Sequence, residues 1–289
     1  APSGPVLTLG RQPAEITISA VSDSTLRIQF TSVEPSQPAG PQDEDQILAQ
    51  PNWPGKKQLI RSPQAASLFK FGKLSVAFTS DPLVVAVQGA DGRIVQRLTF
   101  DAATGNFTFL LGDGPVLGLG AGGPQFDRRG SSYSMKNSHD AYQLATNGGR
   151  LPIPWLVGTS GWAMFVHTPL GGFNLTGKEG RFEKWDTESA LPLDIFIVAA
   201  REPAEIMREY ARRTGFPHMP PIWTLGYQQS HRTLASREEI MGIAKTMREK
   251  KLPCDALIYL GTGWCPAGWN TGHGSFTWNS AVFPDPAKM

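Results

Sequence analysis

Cysteine is nearly absent: Cys254 and Cys265 are the only two in 289 residues. Two cysteines cannot build a disulfide framework, and no Cys/His cluster has the short spacing of a structural zinc site. Both thiols are therefore expected to be unpaired packing or loop residues, and no metal or cofactor is expected. Charge of one sign is also lacking. The formal net charge is +2, with basic residues scattered among acidic ones, so there is no stripe for nucleic acid. No apolar run approaches the roughly eighteen residues that a spanning helix requires, and no signal peptide or internal repeat is read. These absences predict a soluble chain with neither nucleic acid nor membrane as partner. The opening Ala1-Pro2-Ser3-Gly4-Pro5, without Met, reads as a processed chain and predicts a secreted or periplasmic location.

With 40% hydrophobic residues, the chain has enough apolar mass for proper cores. Its last seventy or so residues read as strand, helix, strand. Pro220-Pro221 lead into the apolar run Ile222-Trp223-Thr224-Leu225-Gly226-Tyr227, read as the first strand, and Ala256-Leu257-Ile258-Tyr259-Leu260 is the second. Between them Ser236 is placed as an N-cap with Glu239 three residues on, and Glu238 and Glu239 complement the helix dipole. Ile240, Ile243, Ala244 and Met247 fall on one face, and Pro253 stops the helix. A parallel pair joined by a helix calls for further strands beside it and helices over both faces. The chain therefore reads as cut after its second strand.

Residues 1–215 have another texture. Ile16–Val21, Leu26–Phe30, Leu74–Phe78, Leu83–Val87, Phe107–Leu111, Trp155–Val157, Ala163–Val166 and Leu193–Val198 are short runs between turn signals, many of them alternating. An antiparallel β-sandwich accounts for them. Pro35 to Lys57 is read as a surface loop. The segment Pro203–Ala211 is helical in pattern, ends at Gly215, and is followed by Pro217, Pro220 and Pro221, which puts a boundary near 215. The two domains are 1–215 and 216–289.

Several motifs, in order, resemble glycoside hydrolase family 31, the α-glucosidase and α-xylosidase group. They are Gly118-Leu119-Gly120, then Phe126-Asp127-Arg128-Arg129-Gly130, Ile153-Pro154-Trp155 and Gly161-Trp162 through Thr168-Pro169. The handover Met219-Pro220-Pro221 through Gln229-Ser230, the closing Gly274-Ser275-Phe276-Thr277-Trp278-Asn279 and Phe283-Pro284-Asp285-Pro286 continue the match. The resemblance implies a sandwich like that of galactose mutarotase, followed by the first βαβ unit of a (β/α)₈ barrel whose pocket lies at the C-terminal strand ends. It implies a retaining hydrolase of α-linked glycosides that uses two Asp, both on strands past Met289, so no catalytic residue falls in this chain. The implied partners are an oligosaccharide or glycoside substrate and the remainder of the barrel. Family strand two usually ends Leu-Asp-x-Asp-Tyr, whereas here the run is Leu260-Gly261-Thr262-Gly263-Trp264. Gly261 in place of the first Asp, and His231-Arg232 where strand one often ends Arg-Trp, point away from ordinary α-glucosidase specificity.

The substrate-binding candidates are His231 and Arg232 after strand one, and Trp264, Trp269 and His273 in the Gly-rich stretch after strand two. Sugars offer CH faces to aromatic rings and hydroxyls to polar groups, and ligand pockets combine the two. A loop of the first domain adds Asp127, Arg128, Tyr133 and Asn137 as a subsite wall. The other reading of Asp127 and its arginine neighbours, favoured for Arg129, is an internal salt bridge supporting that loop. The competing functional readings are a non-catalytic carbohydrate-binding protein using the sandwich alone, and a structural domain without sugar chemistry.

Overall fold

The computed structural model describes residues 7–33, 47–62, 67–122, 125–135, 151–168, 170–185, 190–231, 236–259 and 278–289. The chain divides into two compact units, Ala1–Phe216 and Pro217–Met289. Among the described residues, no helix is long and apolar enough to cross a membrane.

In chain order the strands of the first unit are β1 (Thr8–Leu9), β2 (Gln12–Ala20), β3 (Thr25–Ser32), β4 (Lys57–Ile60), β5 (Leu68–Phe71), β6 (Leu74–Ser80), β7 (Leu83–Gln88) and β8 (Ile94–Phe100). They continue with β9 (Phe107–Leu110), β10 (Val116–Gly118), β11 (Ser132–Ser134), β12 (Trp155–Gly158), β13 (Trp162–Val166), β14 (Gly172–Asn174), β15 (Glu179–Glu183) and β16 (Leu193–Val198). One sheet has the order β1-β2-β3-β16-β13-β12-β10 with β4 also on β2, and the other β11-β14-β15-β9-β8-β7-β6-β5. Every pairing in both is antiparallel. A single apolar cluster joins them: Ile16, Ile18, Ile28 and Phe30 from the first meet Val85, Phe107, Phe109 and Phe182 from the second. Alternation sets this up, because residues two apart along a strand share a face.

β13 and β16 are buried on both faces, and the outer cover explains why. Met164, Ile195 and Ile197 face the shared core, while Ala163, Phe165, Phe196 and Val198 belong to a second cluster with Ile206 of α1 (Pro203–Thr214). Leu48 and Trp53 are buried there too, so the stretch read as a surface loop contributes core residues on its C-terminal side. Pro203 starts α1, where its missing N–H costs nothing, and Gly215 at φ 92 ends it. Glu209 accepts from Ser22 Oγ (2.8 Å), Thr25 Oγ1 (2.7 Å) and Arg212 Nε (3.2 Å), which ties α1 to the sheet.

Arg213 is fully buried over the rings of Trp155 (4.6 Å), Phe196 (5.3 Å) and Phe165 (5.8 Å). Its guanidinium nitrogens have no hydrogen-bond partner among the described residues. Burial pushes its pKa down to about 10, with Glu209 opposing. At about 1.4 kcal/mol per unit, keeping this charge costs roughly 3 kcal/mol, offset by ring contacts of about 0.5–2 kcal/mol each. Arg213→Met keeps the packing and removes the unpaired charge, so chemical denaturation is expected to show it within about 1 kcal/mol of wild type or more stable. Arg213→Ala, which also leaves a cavity among three rings, is expected to lose about 3 kcal/mol.

In the second unit β17 (Gln228–His231) and β18 (Ala256–Tyr259) form a parallel pair joined through α2 (Arg237–Glu249). Ser236 caps α2 by accepting from the Glu239 amide at 3.2 Å. Ile240 is buried, and Ile243, Ala244 and Met247 are half-buried beneath it on the same face. Phe283 closes a small core with Ile240, Ile243 and Leu257. The first strand differs from the sequence expectation. Ile222–Leu225 is a 3₁₀ turn, and the strand is the polar Gln228–His231. Pro221 supplies the reason: its carbonyl takes both the Thr224 amide (3.0 Å) and the Thr224 hydroxyl (2.7 Å), which closes a turn before any ladder can start.

Candidate functional site: the parallel strand ends and the loop after β10

β17 and β18 pair with Gln228 opposite Ala256 and His231 opposite Tyr259. Both strands therefore finish at one level. Of His231 the backbone alone is described. Arg232, Trp264, Trp269, His273 and Asn137 lie outside the described residues, as do Gly261 and Cys265. Asp255 opens β18 at the opposite end, where its amide donates to the Tyr227 carbonyl (2.8 Å). Cys254 is buried and free, its thiol donating to the Ala256 carbonyl at 3.3 Å.

The loop after β10 is described in atomic detail. Gly118, Leu119 and Gly120 all have positive φ, at 107°, 60° and 80°. Three such residues in succession turn the Gly118 and Gly120 carbonyls to one guanidinium: Arg128 donates to them at 2.8 and 3.3 Å. The same guanidinium sits over the ring of Tyr133 at 5.5 Å. Arg128 and Tyr133 are both buried, so their side chains brace the loop from within rather than line an open wall. The two glycine-containing motifs are thus halves of one contact.

Asp127 completes the brace. It accepts from the Val116 amide at 3.0 Å and pairs with Arg129 at 2.8 Å, while Arg129 also reaches the Asp113 carbonyl at 3.0 Å. Arg129 holds the Asp127 carboxyl well below the usual range, at about 2, with the backbone amides assisting. A depressed carboxyl stabilises the fold above its unfolded pKa and ceases to do so as pH falls through the folded one. Both partners are about a third exposed, so solvent screens the pair. Urea titrations are expected to find Asp127→Asn less stable at pH 7, with the difference shrinking between about pH 4 and pH 2. The side chain that this loop turns outward is Phe126, 91% exposed and not nominated from sequence. The signal was its position, since its two neighbours in the motif are consumed by internal bonds.

Residues 217–289 match the glycosyl hydrolases family 31 TIM-barrel domain. The chain is 25% identical over 240 residues to an α-xylosidase of Saccharolobus solfataricus, covering 75% of this chain and 32% of that enzyme. Against human neutral α-glucosidase AB it is 28% identical over 158 residues, which is 50% of this chain and 16% of the glucosidase. The chain thus spans a third or less of the length of these relatives. Among solved structures, a family 31 dextranase of Flavobacterium johnsoniae bound to glucose superposes with a TM-score of 0.73 at 21% identity, over 93% of this chain and 33% of that one. A xylosidase of Aspergillus niger gives 0.64 at 17% identity, over 86% and 38%. At these identities the superpositions establish a shared fold.

Proposed function

We propose, from the resemblance to glycoside hydrolase family 31, that the chain is the N-terminal portion of a retaining enzyme that hydrolyses α-linked glycosides. The observation that carries this is the match of residues 217–289 to the family's barrel domain. The two antiparallel sheets of the first unit and the parallel strand pair of the second support it, since a barrel site is built where parallel strands end. In a retaining mechanism one carboxylate attacks the anomeric carbon while a second protonates the leaving oxygen, and water then releases the glycosyl group. Both acids belong to strands beyond these residues. The part played here is to hold the sugar: His231 and Arg232 after β17, and Trp264, Trp269 and His273 after β18. In the first unit, Asp127, Arg128 and Tyr133 brace the loop that exposes Phe126. A non-catalytic carbohydrate-binding protein would leave residues 217–289 without a purpose.

Gly261, where the family usually has Asp, removes an acceptor for a sugar hydroxyl, and an unmatched hydroxyl is costly enough to exclude a substrate. A sugar other than glucose in the innermost position follows, and Arg232 suits one with an acidic or reoriented group. The test is a panel of α-glucosides, α-galactosides, α-xylosides and acidic glycosides against the completed enzyme and its Arg232→Ala, Trp264→Ala and His273→Ala variants. Loss of a stacking or hydrogen-bonding contact in a closed pocket is worth about 1–3 kcal/mol, or tenfold and more in kcat/KM. Unchanged kinetics in all three variants on the preferred substrate would refute this site.

A further inference from the structure

A cleft of about 540 Å³ opens between turns of the first unit. The β7–β8 turn brings Asp91 and Arg93, the segment after β9 brings Asp113, the β12–β13 turn brings Ser160, and the approach to α1 brings Arg201 and Glu205. Ile94, 49% exposed, gives the cleft an apolar strip, and Trp162 lies in its wall.

Trp162 is 2% exposed, yet its indole N–H has no acceptor among the described residues. That nitrogen lies 3.9 Å from where a Cβ on Gly112 would stand, and Ser160 Oγ would lie 2.4 Å from it. The Ser160 side chain occupies the space that a side chain at Gly112, φ +74, would take. Asp91 and Arg93 hold each other at 2.6 Å. Three carboxylates and two guanidiniums nearly balance, so the cleft selects neither a polyanion nor a polycation. It offers donors and acceptors side by side with an apolar strip, within the 300–1,000 Å³ range of small-molecule sites. A neutral polyhydroxylated ligand meets all three features at once, because each sugar hydroxyl both donates and accepts while its CH face covers Ile94.

We propose that this cleft is a carbohydrate-binding site of the sandwich, taking a stretch of α-linked neutral oligosaccharide. The cleft is built from the first unit alone, and only the choice of α-linked sugar rests on the function proposed above. The experiment is calorimetric titration of the 289-residue chain with isomaltotriose, maltotriose, cellotriose and inorganic phosphate. The variants are Arg201→Ala and Asp113→Ala in the cleft, and Trp264→Ala in the second unit. The expected result is binding of an α-linked trisaccharide, weakened about tenfold in each cleft variant and unchanged in a control, Lys73→Ala, whose side chain is exposed elsewhere on the same unit. Phosphate is expected not to bind. No trisaccharide binding by the wild type, or binding insensitive to both cleft variants, would overturn the proposal. Loss in Trp264→Ala alone would place the sugar at the strand ends, overturning the cleft while favouring the barrel reading. Binding of cellotriose alone, lost in the cleft variants, would overturn the α-linked assignment.

Discussion

Gly120→Ala should destabilise the first unit by about 3 kcal/mol or more, whereas Gly130→Ala should cost only about 1–2. The two glycines share a φ of +80, so the left-handed strain of an L-residue, about 1–2 kcal/mol, is common to both. They differ in surroundings. A Cβ at Gly120 would stand 1.9 Å from the Leu151 carbonyl oxygen and 2.7 Å from the Ile153 amide nitrogen, both backbone atoms that cannot rotate away. At Gly130 nothing lies within 4 Å. Relief at Gly120 would have to break the mutual bonds between Ala121 and Leu151, at 3.0 and 3.1 Å, or move the Gly120 carbonyl off Arg128. Denaturant unfolding of the two variants beside wild type measures the difference. Equal losses would show that the 151–153 segment gives way freely and that the glycine motif is not held by close approach.

The same comparison explains what could be read from the residues and what could not. The strands with clean alternation, such as Ile16–Ile18 in β2 and Leu83–Val87 in β7, were legible because one face meets the shared core and the other does not. β16 was legible as a strand from its branched residues, but burial of both its faces depends on α1, far along the chain. Short pieces such as β11 and β14 carry too few residues for a period and are fixed by their neighbours in the sheet. The error at Ile222–Leu225 has a similar origin. An apolar run after two prolines reads as a buried strand, yet hydrogen bonding to the Pro221 carbonyl turns it and leaves Ile222 and Leu225 exposed. In the site, the internal salt bridge read as the alternative for Asp127 and favoured for Arg129 is present, while Arg128 was found by motif but not by role. Sequence shows that charged residues stand together, and only geometry shows that Arg128 is spent on two glycine carbonyls and a ring.

The 289-residue chain by itself is expected to release nothing from any aryl α-glycoside, even where it binds sugar. Retention needs two carboxyl groups about 5–5.5 Å apart at the anomeric carbon. The described carboxylates of the second unit are otherwise placed. Asp255 opens β18 at the end opposite the strand termini, Glu238 and Glu239 sit in the first turn of α2, Glu249 ion-pairs with Lys245 and Asp285 with Lys288. Two parallel strands also leave outer edges that a full barrel would pair. Without both acids, the rate is expected to fall by roughly 10⁴-fold or more relative to a completed enzyme, since catalytic groups acting together fail together. Assay of the purified chain on p-nitrophenyl α-glucoside and α-xyloside, beside a chain extended through the remaining strands, measures this. Turnover by the short chain, surviving removal of host glycosidases, would mean that a carboxylate pair within these residues performs the chemistry and that the assignment of both acids to later strands is wrong.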